Sequence, residues 1–183
     1  AEQGGIYYLE VAAFGDTGSY TLNTAEIVTP PVDTLIDISV DFVDTAGRTI
    51  NTIQQGEEFL INVYASDLRE GTDWQGVLSA FADVHFDSQL ITITDVQYSF
   101  DDLTFGEVLD NEVDEAGGLE TTRPSEPFER QLVFTLRAVA NGLGSATIDT
   151  SVGEHFLSEN QVFGIDGDVR DQTRYGSATI DII

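Results

Sequence analysis

The sequence predicts an all-β protein, an antiparallel β-sandwich. Three observations carry this: apolar residues recur at every second position, turn-forming residues separate the alternating runs, and helical spacing is almost absent. Ile36, Ile38, Val40 and Phe42 share one face of a first strand, with Asp37, Ser39 and Asp41 between them. Phe59, Ile61, Val63 and Ala65 alternate with Leu60, Asn62, Tyr64 and Ser66. Leu78, Ala80, Ala82, Val84 and Phe86 form the inward set of a third strand, and Ser79, Phe81, Asp83 and His85 its outward set. Leu132, Phe134, Leu136 and Ala138 mark a fourth, Ala146 and Ile148 a fifth, and Ala178, Ile180 and Ile182 close the chain. Each reads as a half-buried strand, apolar toward a core and polar toward water. Asp44-Thr45-Ala46-Gly47, Gln55-Gly56, Glu70-Gly71 and Asn141-Gly142 supply the turns between them.

Ahead of this body lies a shorter unit. Residues 6–12 and 18–23 read as a β-hairpin spanning residues 1–23. Residues 24–34 form a linker, whose Thr29-Pro30-Pro31 cannot donate ladder hydrogen bonds and holds the chain extended. Residues 35–183 are then a body of ordinary domain size. Within it, Phe100–Phe128 is rich in Asp, Glu and Gly and shows no alternation. That composition predicts a long acidic loop, anchored at its start by Leu103, Phe105 and Leu109 and mobile over Glu112–Ser125.

Composition narrows the function. The 183 residues include 33 Asp and Glu against 7 basic residues, all of them Arg, for a formal net charge of -26. Nucleic acid is a poor partner in this field, an anionic membrane surface is disfavoured for the same reason, and no apolar run approaches a membrane span. Carboxylates in such excess keep a surface hydrated in water of high ionic strength, where salt screens their repulsion. There is no Cys, which removes disulfides, thiolate metal sites and cysteine nucleophiles. With no Met and no signal peptide, the chain reads as an interior piece or a processed end of something longer.

The body also resembles a known family. Gly56-x-x-Phe59-x-x-x-Val63, Asp67-Leu68, Gly76-Val77, Ala80 and Val84-x-Phe86-Asp87-x-x-Leu90 are followed by Leu132-x-Phe134, Ala138 and Gly144-x-Ala146-x-Ile148. In that order they resemble cohesin-like domains across about residues 35–183. The resemblance implies a nine-stranded jelly roll, related to some carbohydrate-binding modules, that holds a dockerin on one sheet face. The front piece, Gly5-Ile6-Tyr7-Tyr8-Leu9-Glu10-Val11 and Phe14-Gly15-Asp16-Thr17-Gly18-Ser19-Tyr20-Thr21-Leu22, is similar to the last two strands of bacterial pre-peptidase C-terminal domains. Both resemblances imply an exported bacterial protein, extracellular or at the cell surface.

No catalytic constellation emerges. Gly142-Leu143-Gly144-Ser145 lacks the spacing of a nucleophile elbow, and the two histidines, His85 and His155, are far apart in sequence. His85 reads as a solvated surface residue. Calcium is the cofactor the sequence favours: Asp166-Gly167-Asp168, with Asp171 beyond, sets three carboxylates in a loop able to wrap a hard cation. Asp101 and Asp102 with Glu107 and Asp110, and Asp67 with Glu70 and Asp73, are looser groupings. Trp74, the only Trp, is the candidate platform for a sugar. The favoured function is a non-catalytic structural or adhesive module acting through protein contacts; the alternative is a carbohydrate-binding module. The partner is either another copy or another module such as a dockerin. Tyr7, Leu9, Val11, Tyr20 and Leu22 of the front hairpin need a covering surface, and strand addition to a neighbouring copy would build an open homopolymer.

Overall fold

A computed structural model of the chain describes residues 34–70, 75–100, 102–122, 130–153 and 159–183. The front hairpin with Tyr7, Leu9, Val11, Tyr20 and Leu22, nearly all of the linker, Asp73, Trp74 and Asp101 lie outside the described residues. The strands are β1 (Ile36–Val43), β2 (Thr52–Ile53), β3 (Glu58–Asp67), β4 (Val77–His85), β5 (Ile91–Tyr98) and β6 (Asp102–Val108). They continue with β7 (Glu112–Leu119), β8 (Gln131–Ala140), β9 (Gly144–Ser151), β10 (Gln161–Val162), β11 (Thr173–Tyr175) and β12 (Ser177–Ile182). A 3-10 turn at Arg170–Gln172 precedes β11.

Two sheets stack. The first has the order β11-β1-β3-β8-β5, and the second β2-β12-β9-β4-β7-β6, with β10 beside β4. Pairing is antiparallel except where β1 meets β11 and β12 meets β2. The first sheet sends large side chains inward, among them Ile36, Ile38, Phe59, Ile61, Phe134 and Leu136, all nearly or wholly buried. The second meets several of them with small ones, Ala80, Ala82, Ala116 and Ala146, beside Val84, Ile148 and Ile180. Large against small lets the two layers interdigitate without voids.

The alternation read from the sequence is the burial pattern of β1 and β3 residue for residue. In β8 it slips: Val133 is buried and Leu132 only half-buried. A bulge opposite Val63 and Tyr64 shifts the register and changes the phase of that end.

The expected acidic loop is a hairpin instead. Residues 102–108 and 112–119 are β6 and β7, and β7 lies between β6 and β4 in the second sheet. The mobile Glu112–Ser125 segment expected from composition therefore begins with a fully paired strand whose Val113 and Ala116 are 0% exposed. Alternation was hidden by another bulge, where Asp114 and Glu115 together face the single residue Asp83. Val113 and Ala116 thus sit three apart and still both point inward. Glu115 takes a left-handed conformation there, φ +51°. The glycine that follows has its own reason: a Cβ on Gly117 would stand 2.1 Å from the Ala80 carbonyl oxygen and 2.7 Å from the Phe81 ring.

Where β9 ends, β10 takes over as the neighbour of β4, and one side chain bridges the gap. Asn160, 0% exposed, accepts the Phe81 N–H through Oδ1 at 2.7 Å and donates Nδ2–H to the Tyr175 hydroxyl at 2.9 Å. Its own N–H goes to Asp168 Oδ1 at 3.0 Å. It does the work of a missing strand.

Candidate functional site: the outer face of the second sheet

The two outer faces differ in charge. On the first sheet, Arg174 pairs with Asp37 at 2.6 Å, Arg130 with Asp41 at 2.6 Å, and Arg137 with Glu58 at 3.2 Å. Arg130 also stands 3.9 Å from the centroid of the Tyr64 ring, and Thr135 donates to Asn62 at 2.8 Å. Charge and hydrogen bonding on this face are largely satisfied within it.

The strands of the second sheet hold no arginine. Asp83 and His85 of β4, two residues apart, share its outward side. The register places Glu112 of β7 opposite His85 on one flank and Asp149 of β9 on the other. His85 Nε2 lies 2.8 Å from Ser151 Oγ, while Nδ1 faces Glu112 Oε1 at 3.6 Å. Asp83 accepts the N–H of Glu115 at 2.9 Å, which ties the bulge of β7 to β4. Burial pushes the Asp83 carboxyl above the usual range, and the nearby charges of Glu112, Asp114 and Glu115 push the same way against that hydrogen bond. Among the described residues this is the one place where three metal-ligating side chains gather, one ligand atom from each of Asp83, His85 and Glu112 lying within 4.8 Å of the others.

Next to this acidic centre the sheet ends on β6, an edge strand that exposes apolar side chains. Leu103 is 64% exposed and Phe105 40%, and Val108 and Leu109 at the hairpin turn are open to a similar degree. Between that turn and the start of β5 lies an open hollow of about 440 Å³, lined by the apolar Phe86, Ile91, Ile93, Val108 and Leu109 and by the polar Ser88, Thr92 and Asp110. Exposed apolar side chains on an edge strand are what a partner covers.

The other sequence candidates have different surroundings. Asp168 is engaged within the chain: its Oδ1 accepts the N–H groups of Asn160 and Arg170, and its Oδ2 the Arg170 guanidinium. Asp166 and Asp171 are exposed nearby, and a calcium ion shared by Asp166, Asp168 and Asp171 would compete with Arg170 for the middle carboxylate. Asp67 is 2% exposed and built into the fold, accepting from the Arg69 side chain and from the N–H groups of Arg69 and Gly76. Asp102 accepts the Thr121 hydroxyl at 3.0 Å.

At His85 the structure adds partners that the sequence does not show. The Asp83-x-His85 spacing already put an acid and an imidazole on one side of a strand. Its partner Glu112 was invisible, because that contact depends on a register fixed by the Asp114–Glu115 bulge.

No protein-family model and no curated protein matches the sequence. Solved structures do match the fold. The cohesin module of a family 33 glycoside hydrolase from Clostridium perfringens superposes with a TM-score of 0.57 at 14% identity, over 81% of this chain and 97% of that one. The third ScaC cohesin of Acetivibrio cellulolyticus, solved in complex with a ScaB dockerin, gives 0.51 at 11% identity, over 81% and 99%. The sixth scaffoldin B cohesin of that organism, in complex with a Cel5 dockerin, gives 0.50 at 13%, again over 81% and 99%. The fold is that of the cohesin jelly roll.

Proposed function

We propose that this chain is a non-catalytic protein-binding module, extracellular or displayed on a bacterial surface, that engages a dockerin-type partner through the outer face of its second sheet. The observation that carries the reading is the junction of an arginine-free acidic face with the exposed apolar edge of β6. A protein interface needs a desolvated apolar centre and a polar rim that sets orientation, and this junction offers both. The opposite face, crossed by its own ion pairs, offers less: an exposed pair that is already satisfied gives a partner little to gain. The dockerin complexes of the similar cohesins support the class of partner. A partner recognised here carries basic residues around an apolar contact, and its association slows as salt rises.

The test is a binding titration of the whole chain against dockerin modules from the same source, with Phe105→Asp and Leu103→Asp on the β6 edge and Asn62→Lys on the opposite face. The β6 variants should lose about 10-fold or more in affinity, the scale of a contact near an interface centre, and the Asn62 variant should bind as the parent does. Absence of binding by the parent chain, or equal binding by all three variants, overturns the reading.

A further inference from the structure

We propose that Asp83, His85 and Glu112 form a binding site for a divalent first-row transition ion such as Zn²⁺, linking β4 to β7 on the outer face of the second sheet. The proposal stands apart from the binding function above and holds or fails without it.

Three donors converge here from two adjacent strands, one ligand atom of each lying within 4.8 Å of the others. Donors about 2.0–2.2 Å from one such ion stand closer together than this, so small side-chain rotations would close the three around it. The imidazole is already oriented: in the tautomer where Nε2–H donates to Ser151 Oγ at 2.8 Å, Nδ1 keeps its lone pair and faces Glu112. A ligating histidine held through its other nitrogen is a recurring feature of metal sites, and Ser151 supplies that hold from a third strand, β9. Asp83 is fixed independently, because Oδ1 accepts the Glu115 N–H while the residue is 9% exposed. The β7 bulge therefore anchors one ligand and sets the register of another.

The donor set selects the ion. Calcium and magnesium favour all-oxygen shells, whereas one imidazole with two carboxylates suits zinc and its first-row neighbours. Three protein ligands leave at least one coordination position for water, which marks an open site rather than a closed structural one. The alternative role for His85, a simple cross-strand ion pair with Glu112, keeps the Ser151 hydrogen bond but makes no use of Asp83.

Zn²⁺ itself is the probe. Calorimetric titration of the full chain at constant ionic strength should show one saturable site, and Co²⁺ in its place should give visible absorption bands from a nitrogen-containing shell. His85→Ala should abolish the bands and weaken Zn²⁺ binding at least 10-fold. Ser151→Ala should weaken it by about 10-fold to 100-fold while leaving all three ligands in place. Asp166→Asn, in the other acidic loop, should change nothing. Circular dichroism of each variant confirms that the sandwich is intact, and Glu112→Gln gives a second removal should His85→Ala fail to fold. Equal Zn²⁺ affinity in the parent, His85→Ala and Glu112→Gln chains would show diffuse carboxylate binding and overturn the proposal. So would absence of saturable binding by the parent.

Discussion

Replacing Asn160 with Ala should cost the fold about 2–4 kcal/mol. The Asn160 side chain is wholly buried and satisfies two groups that no strand reaches: the Phe81 N–H at 2.7 Å and the Tyr175 hydroxyl at 2.9 Å. Phe81 is 3% exposed, so its N–H would lose its partner with little access to water. An orphaned buried donor costs about 1–3 kcal/mol, and the half-buried Tyr175 hydroxyl, which can turn to solvent, adds about 1 kcal/mol. Against a total stability of about 5–15 kcal/mol this is a large fraction. In a chain of this size it lowers the melting temperature by roughly 4–16 °C. Urea unfolding followed by circular dichroism reads the change as a lower midpoint with an unchanged slope. Asn160→Asp refines the test, since it keeps the acceptor for Phe81 but buries a charge beside Asp168 and loses the donor to Tyr175; it should cost at least as much as Ala. A loss below about 0.5 kcal/mol for Ala, the level of an ordinary surface change, would refute the bridging role.

Hydrogen exchange should find the amides of Val113–Gly118 among the slowest in the protein, because β7 is paired on both sides; fast exchange there would return the segment to the loop its composition suggests. Arg69→Ala should destabilise the fold by about 3 kcal/mol in denaturant melts, because it strips the guanidinium from the buried Asp67 carboxylate and leaves only backbone N–H donors. Burial pushes the Tyr175 hydroxyl from 10.0 up to about 12, with the charge of Asp168 adding to the effect. Between those values the unfolded chain releases a proton that the folded chain keeps, so this contribution to stability is whole below pH 10 and fades as the pH rises toward 12. Tyr175→Phe should flatten that part of the stability profile.

Legibility in the sequence followed the regularity of the strands. β1 and β3 have no special backbone, and Ile36 to Phe42 and Phe59 to Ala65 alternate as the period of a strand requires. β7 escaped because its bulge spaces Val113 and Ala116 by three, and because Ala116-Gly117-Gly118 has little apolar bulk to register. Those glycines are small because Phe81 and the Phe100 carbonyl already occupy the space, a fact of packing that no local window contains. The acidic cluster was half legible. Asp83 and His85 belong to one strand side in any register, whereas Glu112 joins them only through the pairing of β4 with β7. At Asp168 the sequence shows a run of carboxylates but not that the middle one is engaged by an arginine two residues away. β2, β10 and β11, two or three residues long, carry too few positions for any period to show.

The central claim is that the outer face of the second sheet, with the β6 edge, is the side that meets a partner. At 19.9 kDa the chain is suited to two-dimensional NMR, in which each backbone amide reports separately. Titration of the labelled chain with a dockerin module from the same source should move the amides of β6, β7 and the His85 end of β4, and leave those of β1, β3 and β8 in place. Shifts confined to the Arg130, Asn62 and Tyr64 face would contradict the account.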